Sequence, residues 1–363
     1  MAGIYLHIPF CSSICQYCDF FVTTKRDFQM QEKYVAAILE EISFYANPQL
    51  EIKTIYFGGG TPSLLKIEFL AKVLEEIYKN FKVTFEPEIT IEVNPKEVTL
   101  QDFLVYKKLG INRLSIGTQS FEENELKFLT RLHSSNDAIK CFTEARKAGF
   151  QNVSLDLIFG LQNQTLESWA KSLEKTVELN PEHISLYGLT FYEGTKFTRK
   201  LEKGKIQKLP EETELEFYLK AIEVLTKNGF EHYEVSSFAK PNFYSKHNSS
   251  YWNHTEYLGV GASAHSFFAG KRFWNFANLE KYFESVLKFG NGIEEEEKIT
   301  TETLELEKLM LGLRQKKGVN WNDLELLKQI PKDFYTIEKN NLRLTSKGFA
   351  MYDSIAEKLA SYL

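Results

Sequence analysis

The chain has 363 residues, 43% hydrophobic and 26% charged, which is long for one ordinary domain and apolar enough for a sizeable core. A formal net charge of -5 and a pI near 5.9 offer no general attraction to phosphate backbones or anionic lipid, and no apolar run approaches the ~18 residues of a membrane span. The N-terminus, MAGIYLHIPFC, lacks a basic start followed by a long apolar stretch, so the expected compartment is the cytoplasm, with reduced thiols and no nucleic-acid partner.

GIYLHI opens the chain as a strand, and a helix is expected over 26–45. TIYFGGG is a second strand, followed by a helix near 64–80 and by EITIEVNP as a third strand. The rhythm continues with a helix near 99–108, strand NRLSIG, a helix near 135–148, strand VSLDLIFG, a helix near 166–178 and strand HISLYGL. Six apolar strands alternating with helices imply an α/β fold with a parallel sheet, a partial (β/α)6 TIM-like barrel rather than a closed eight-stranded one. After Leu189 come a long helix over 211–228, a strand-like HYEVSSF and a Gly/Ser/aromatic stretch from Asn242 to Phe267 that is expected to close the barrel. Glu294 to Glu297 reads as a solvated hinge. Beyond it, LELEKLMLGL, a helix near 321–328, the strand-like NLRLTSKG and a final helix predict a small C-terminal α+β module of winged-helix type, whose acidic surroundings argue against DNA binding. The expected domains are 1–235, 236–290 and 291–363.

Three of the four cysteines, Cys11, Cys15 and Cys18, fall within eight residues directly after the first strand, where barrel folds place their active sites. A [4Fe-4S] cluster prefers thiolate ligands, so three cysteines leave one iron open to a small molecule. The alternative is a three-cysteine zinc site completed by His7 or another ligand. Gly58-Gly59-Gly60-Thr61-Pro62 ends the second strand, where glycines let main-chain groups approach a ligand, although several glycines also make an ordinary turn. Glu92, Gln119 and Asp156 each put a polar group at or near the end of an apolar strand, to face a ligand or to satisfy neighbouring loops. Arg131, in TRLHS, reads as an ordinary exposed arginine at a helix start. Cys141 shares an apolar helical stripe with positions 138, 142, 145 and 148 and is expected in the core.

CxxxCxxC after a first strand, with Tyr17 before the last cysteine, resembles the radical S-adenosylmethionine (SAM) superfamily. The resemblance implies a [4Fe-4S] cluster on Cys11, Cys15 and Cys18 whose open iron binds the amino and carboxylate groups of SAM. An electron donated to the cluster then cleaves the sulfonium to a 5′-deoxyadenosyl radical. It also implies a contact to the methionine amino group from Gly59, Gly60 and Thr61, with Gly60-Thr61 in place of the usual acidic residue. Tyr5, Glu92, Gln119, Arg131 and Asp156 match positions that contact the adenosine or methionine parts of SAM.

YLHIPFC, YFGGGTPS, IEVNP, RLSIGTQSF, LDLIFGLQNQT and ISLYGLT together are similar to the coproporphyrinogen III oxidase-like family. That family holds oxygen-independent oxidases, which decarboxylate two propionates, and haem chaperones. The oxidases carry CxxxCxxCxC and a substantial extension before the cluster, whereas here Phe20 stands two past Cys18 and the first cysteine is residue 11. His247-Asn248-Ser249-Ser250-Tyr251-Trp252 resembles the HNxxYW motif of the haem chaperones. The implied protein binds haem through His247 and passes it to a haem-acceptor protein, with an electron donor for the cluster and peripheral membrane association through the acceptor; the alternative is the oxidase. Taken from the residues alone, His247 in its aromatic loop reads first as a structural or exposed histidine and the aromatics as core, an order that the resemblance reverses. His254 and His265 are alternative iron ligands nearby.

Overall fold

The structure is a computed structural model that describes residues 2–361. The chain runs β1 (Ala2–Ile8), α1 (Phe28–Phe44), β2 (Asn47–Gly59), α2 (Ile67–Asn80), β3 (Phe81–Val93), α3 (Leu100–Lys108) and β4 (Arg113–Gln119). Next come α4 (Glu123–Phe128), α5 (Ser135–Lys147), β5 (Val153–Phe159), α6 (Leu166–Leu179), β6 (His183–Gly188), α7 (Lys196–Glu202) and α8 (Glu211–Lys227). Then follow β7 (Glu231–Glu234), β8 (Ser237–Ala239), α9 (Lys246–Trp252), β9 (Tyr257–Val260), β10 (His265–Phe268), β11 (Lys271–Asn275), α10 (Leu279–Phe289) and β12 (Ile293–Lys298). The last elements are α11 (Thr301–Leu313), β13 (Val319–Asn320), α12 (Leu324–Leu327), β14 (Tyr335–Glu338), β15 (Asn341–Leu344), α13 (Ser346–Ala350) and α14 (Tyr352–Ala360).

Two compact units divide the chain, one made of residues 2–155, 190–206 and 255–298, the other of 156–189, 207–254 and 299–361. In the first, the strands lie in the order β12-β11-β10-β9-β1-β2-β3-β4. β1, β2, β3 and β4 are mutually parallel, and β9 adds to β1 in parallel, so the expected closing segment does join the sheet at its first strand. Successive side chains of a strand face opposite sides. Ile4, Leu6 and Ile8 of β1 are buried on one side, while Tyr5 and His7 share the other with their register partners Tyr56 and Gly58 on β2. The helices start where the sequence provides an acceptor side chain. Asp27 caps α1, and Thr99 with Asp102 and Ser134 with Asp137 form reciprocal boxes at α3 and α5, each worth about 1 kcal/mol.

Two expectations change here. Glu294 to Glu297 form not a hinge but the body of β12, which pairs antiparallel with β11. Cross-strand pairs Lys271–Glu296 and Arg272–Glu297 offset the repulsion that a run of four carboxylates would otherwise bring, and the residues stay exposed as suits an edge strand. β2 and β3 also extend backwards, pairing Asn47 with Phe81 and Glu51 with Lys82, a ribbon that the polar NPQLEIK did not announce.

In the second unit β6, β8 and β7 form an antiparallel sheet, with HYEVSSF folding as two short strands rather than one. Trp169 of α6 is fully buried and donates its indole N–H to the Phe217 carbonyl of α8 at 2.9 Å. At the C-terminal end, β13, β15 and β14 make a small antiparallel sheet beside α11 to α14, the α+β module expected from the sequence.

Candidate functional site

The cysteine loop leaves β1 and returns on itself. Cys11 N–H donates to the Thr23 carbonyl at 2.9 Å, and Thr23 N–H donates to the Pro9 carbonyl at 2.7 Å. His7 fixes the far side, its Nε2 lying 2.8 Å from the Phe21 carbonyl oxygen. The glycine turn after β2 lies directly beneath: Gly60 N–H donates to Ile8 and Thr61 N–H to Phe10. A Cβ on Gly60 would sit 2.9 Å from the Phe10 oxygen and 3.0 Å from Cys11 Sγ, and one on Gly59, at φ +109°, would fall 2.7 Å from the His7 ring. The close approach of the two loops therefore requires glycine at both positions.

Side chains link the loops in a closed circuit. Cys11 Sγ is 3.6 Å from Thr61 Oγ1, which accepts from Asn94 Nδ2 at 2.8 Å. Asn94 Oδ1 accepts from Arg131 Nη2, and Arg131 Nη1 reaches Cys15 Sγ at 3.7 Å. Once Cys11 is a thiolate its sulfur can only accept, so the Thr61 proton then points to it, and the circuit presents one hydroxyl and one guanidinium to two cysteine sulfurs. Arg131 also donates to the Gly117 carbonyl at 3.0 Å, and its buried Nε has no partner among the described residues. Arg131 is thus no exposed helix-start residue. Asn94 is the member that the sequence reading missed; the available signal was a polar residue directly after an apolar strand, as at the other three sites.

Cys11 is buried and Cys15 and Cys18 are half-buried. Burial pushes the Cys11 thiol up to about 11 against the pull of the Thr61 hydrogen bond, and burial likewise raises Cys18. Among the described residues no group of three or more His, Cys, Asp or Glu is arranged around a single ion. A cluster asks for a different spacing, since each thiolate takes a separate iron. The donor set, the glycine cradle and the orphaned guanidinium nitrogen fit a thiolate-held cluster with a small anionic ligand beside it.

The other positions expected to contact SAM line the same sheet face. Glu92 accepts from Tyr56 Oη at 2.8 Å and from Gly59 N–H at 3.2 Å, so it holds the glycine turn as well as facing the interior. Tyr5 Oη is 3.3 Å from His7 Nδ1 and its ring stacks on Tyr56. Burial lowers His7 to about 4, countered by the Phe21 carbonyl and reinforced by His265, so its ring is neutral at pH 7. Gln119 ends β4 at φ +65°, a left-handed conformation that costs a non-glycine residue energy and is typical of functional positions.

Asp156 and His247 belong to the second unit. Asp156 is the half-buried residue in an otherwise buried β5. The HNxxYW segment is not a loop but the helix α9, capped by Ser245. His247 is only 1% exposed and its Nε2 lies 2.7 Å from Tyr251 Oη one turn on. Trp252 lies under the Arg314 guanidinium at 4.4 Å, and its indole Nε1 has no hydrogen-bond partner among the described residues. Cys141 is 1% exposed and packs in the core as expected, with burial raising its thiol.

A model of the radical SAM superfamily matches residues 5–176. The heme chaperone HemW of Bacillus subtilis is 36% identical over 325 residues, 88% of this chain and 85% of that protein. The heme chaperone HemW of Lactococcus lactis is 32% identical over 98% of this chain and 96% of that protein. Among solved structures, coproporphyrinogen III oxidase (HemN) from Escherichia coli superposes with a TM-score of 0.87 over 100% of this chain and 90% of that one at 24% identity, which shows a common fold. Fold and cysteine loop together define a radical SAM protein, a class that implies a [4Fe-4S] cluster and SAM. Within it, the chain belongs to the HemW heme chaperone family. No helix among the described residues is long and apolar enough to cross a membrane.

Proposed function

We propose that this chain is a cytoplasmic haem chaperone, holding a [4Fe-4S] cluster on Cys11, Cys15 and Cys18 and delivering haem to an acceptor protein. SAM contacts Tyr5, Gly59, Gly60, Thr61, Glu92, Gln119, Arg131 and Asp156, and haem contacts the segment around His247. When bound, the cluster would supply an electron and SAM a reducible sulfonium. The chain's own part is to fix the cysteine loop through the Thr61–Asn94–Arg131 circuit, to keep a cation beside the SAM carboxylate, and to keep water from the interior face of the sheet. An electron donor reduces the cluster, and the acceptor brings the chaperone to the membrane surface.

The observation that carries this reading is the extent of kinship with proteins named heme chaperone, 85% and 96% of whose lengths are matched. Two residues support it. Phe20, two past Cys18, is 65% exposed and offers no fourth thiol. Trp252 offers an unpartnered indole N–H beside Arg314, a pair suited to a propionate carboxylate. For His247 to reach iron, its ring has to leave Tyr251 and the core, so ligation there requires α9 to open.

Anaerobic incubation of the reconstituted protein with SAM, reductant and coproporphyrinogen III separates the readings. No protoporphyrinogen is expected, together with stoichiometric haem binding and transfer to an apo-haem protein; robust protoporphyrinogen formation overturns the chaperone function. Substituting Cys11, Cys15 and Cys18 together is expected to remove the iron, the sulfide and the brown chromophore.

A further inference from the structure

Of the seven histidines, six are committed. His7 and His133 sit within 3.0 Å of the Phe21 and Thr118 carbonyls, His183 and His232 within 3.2 Å of the Tyr233 and Tyr218 hydroxyls, and His247 and His254 within 2.7 Å of Tyr251 and Glu307. His265 is different: it is exposed, and its ring nitrogens make no hydrogen bond among the described residues. Its ring stacks on Trp274 at 5.9 Å and 26°, its register partner across the β10–β11 pair.

Register then defines a surface. Residues directly opposite in antiparallel strands share a face. His265 with Trp274, and Phe267 with Arg272, therefore lie together, and Tyr257 of β9 joins Phe267 in the same row. The opposite face carries Ser266, Phe273 and Asn275, all buried, with Phe273 stacked on Tyr45 and Asn275 bound to Glu41 of α1. The outer face is thus closed by α1, while on the other face His265, Phe267, Arg272, Trp274 and Tyr257 are half-exposed or exposed, with the exposed carboxylates Glu295 and Glu297 of β12 opposite Trp274 and Arg272. β9 continues it to β1: Gly259 pairs with Tyr5, so the face that carries His265 also carries a residue proposed to contact SAM. Gly259 leaves no side chain between them, and none would fit, since a Cβ there would lie 2.0 Å from the His265 carbonyl oxygen.

We propose that this face is a seat for the porphyrin ring of haem, with His265 giving an axial nitrogen to the iron and Trp274, Phe267 and Tyr257 packing against the macrocycle. A flat, apolar, dianionic metalloporphyrin asks for one accessible imidazole, aromatic area and a cation, and here these meet on one sheet face without any helix having to open. Arg272 is the cation; it holds Glu297 at 2.9 Å, and a propionate takes that carboxylate's place. The inference rests on the haem reading above, and deepens it by naming the ligand used in the conformation in which His247 is locked to Tyr251.

The test is an anaerobic titration of the full-length, cluster-loaded protein with haemin, followed by the Soret band and by the electron paramagnetic resonance of the ferric iron. His265→Ala is expected to weaken binding at least tenfold and to lose the imidazole-ligated signal, with free imidazole restoring the signal in the variant. His265→Gln, which keeps a polar side chain of similar size, is expected to behave like the alanine variant. Lys271→Ala, on the opposite face of β11, is expected to bind as the unaltered chain does. An unchanged signal in both His265 variants, or loss of it in His247→Ala alone, overturns the assignment while leaving haem binding intact. Failure of the unaltered chain to bind haemin overturns the haem reading itself.

Discussion

Thr61 has a single hydroxyl proton, and it goes to Cys11 Sγ when that sulfur is a cluster-bound thiolate and can only accept, while Asn94 occupies one of the two lone pairs of the oxygen. A hydrogen bond to a cluster thiolate stabilises the more negative, reduced state. Thr61→Val is therefore expected to lower the midpoint potential of the cluster without loss of iron, at a stability cost of about 1 kcal/mol, whereas Thr61→Ser keeps the potential. A redox titration in which valine and threonine give the same potential removes the hydroxyl from this role. Gly60→Ala tests the neighbouring contact: with no space for a methyl against Phe10 and Cys11, the loop has to shift, and cluster retention is expected to fall. Much of this site was legible because its signals are local: three cysteines in eight residues and three consecutive glycines are visible without any fold. Asn94 was not, because its function is to join Thr61, 33 residues before it, to Arg131, 37 residues after it. The burial of Arg131 was not legible for the same reason, since nothing near it in the chain says what surrounds it, and only the resemblance set it beside the SAM positions.

Helix α1 is tied to the far end of the first unit by one buried carboxylate. Glu41 is 0% exposed; Oε1 accepts from Asn275 Nδ2 and Gly292 N–H, and Oε2 accepts from Tyr282 Oη and Gly261 N–H. Four donors for one carboxylate is a fully satisfied arrangement, and removing the acceptor leaves all four unpaired in the core. Glu41→Ala is accordingly expected to destabilise by about 3–5 kcal/mol in chemical denaturation, among the largest costs available in this chain. Glu296→Ala on β12 provides the contrast: its pair with Lys271 is half-exposed on both sides, and a change of about 0.5 kcal/mol is expected. Comparable losses from the two substitutions contradict this ranking. At this scale the strands β1 to β6 and the helices between them, the six-residue α4 excepted, were readable from period and caps alone. The acidic run of β12 was not, since its charges are neutralised by residues on β11 rather than by anything adjacent in sequence. The HNxxYW segment also escaped, its seven helical residues being too few for a period to show.

Membership of the two units does not follow chain order: residues 255–298 belong with the first 155, while 207–254 do not. Periodicity reports which segments are strands and helices, but not which partners they find, and so the parallel sheet was legible where its assembly was not. One property of the whole chain follows from what its interior does to histidine. His7, His133 and His232 are each at most 8% exposed, and burial, the largest influence in each case, lowers each from 6.5 to about 4. The native state therefore keeps three imidazoles neutral that the unfolded chain protonates below about pH 6.5. Their contribution is present in full above that value and is lost as pH falls toward about 4, each by an amount on the order of 3 kcal/mol at most. Glu41 and Glu234 act in the opposite sense, since burial raises both and the native state takes up their protons first. Comparing the chain with a single variant isolates the histidine part: His232→Gln loses the stack on Phe238 and the Tyr218 hydrogen bond at every pH, but it also removes one titrating group. The slope of unfolding free energy against pH between 6.5 and 4 is expected to flatten in that variant by up to about 1.4 kcal/mol per pH unit. Parallel curves for the two proteins, displaced by a constant, would mean that His232 is protonated in the native state as readily as in the unfolded one.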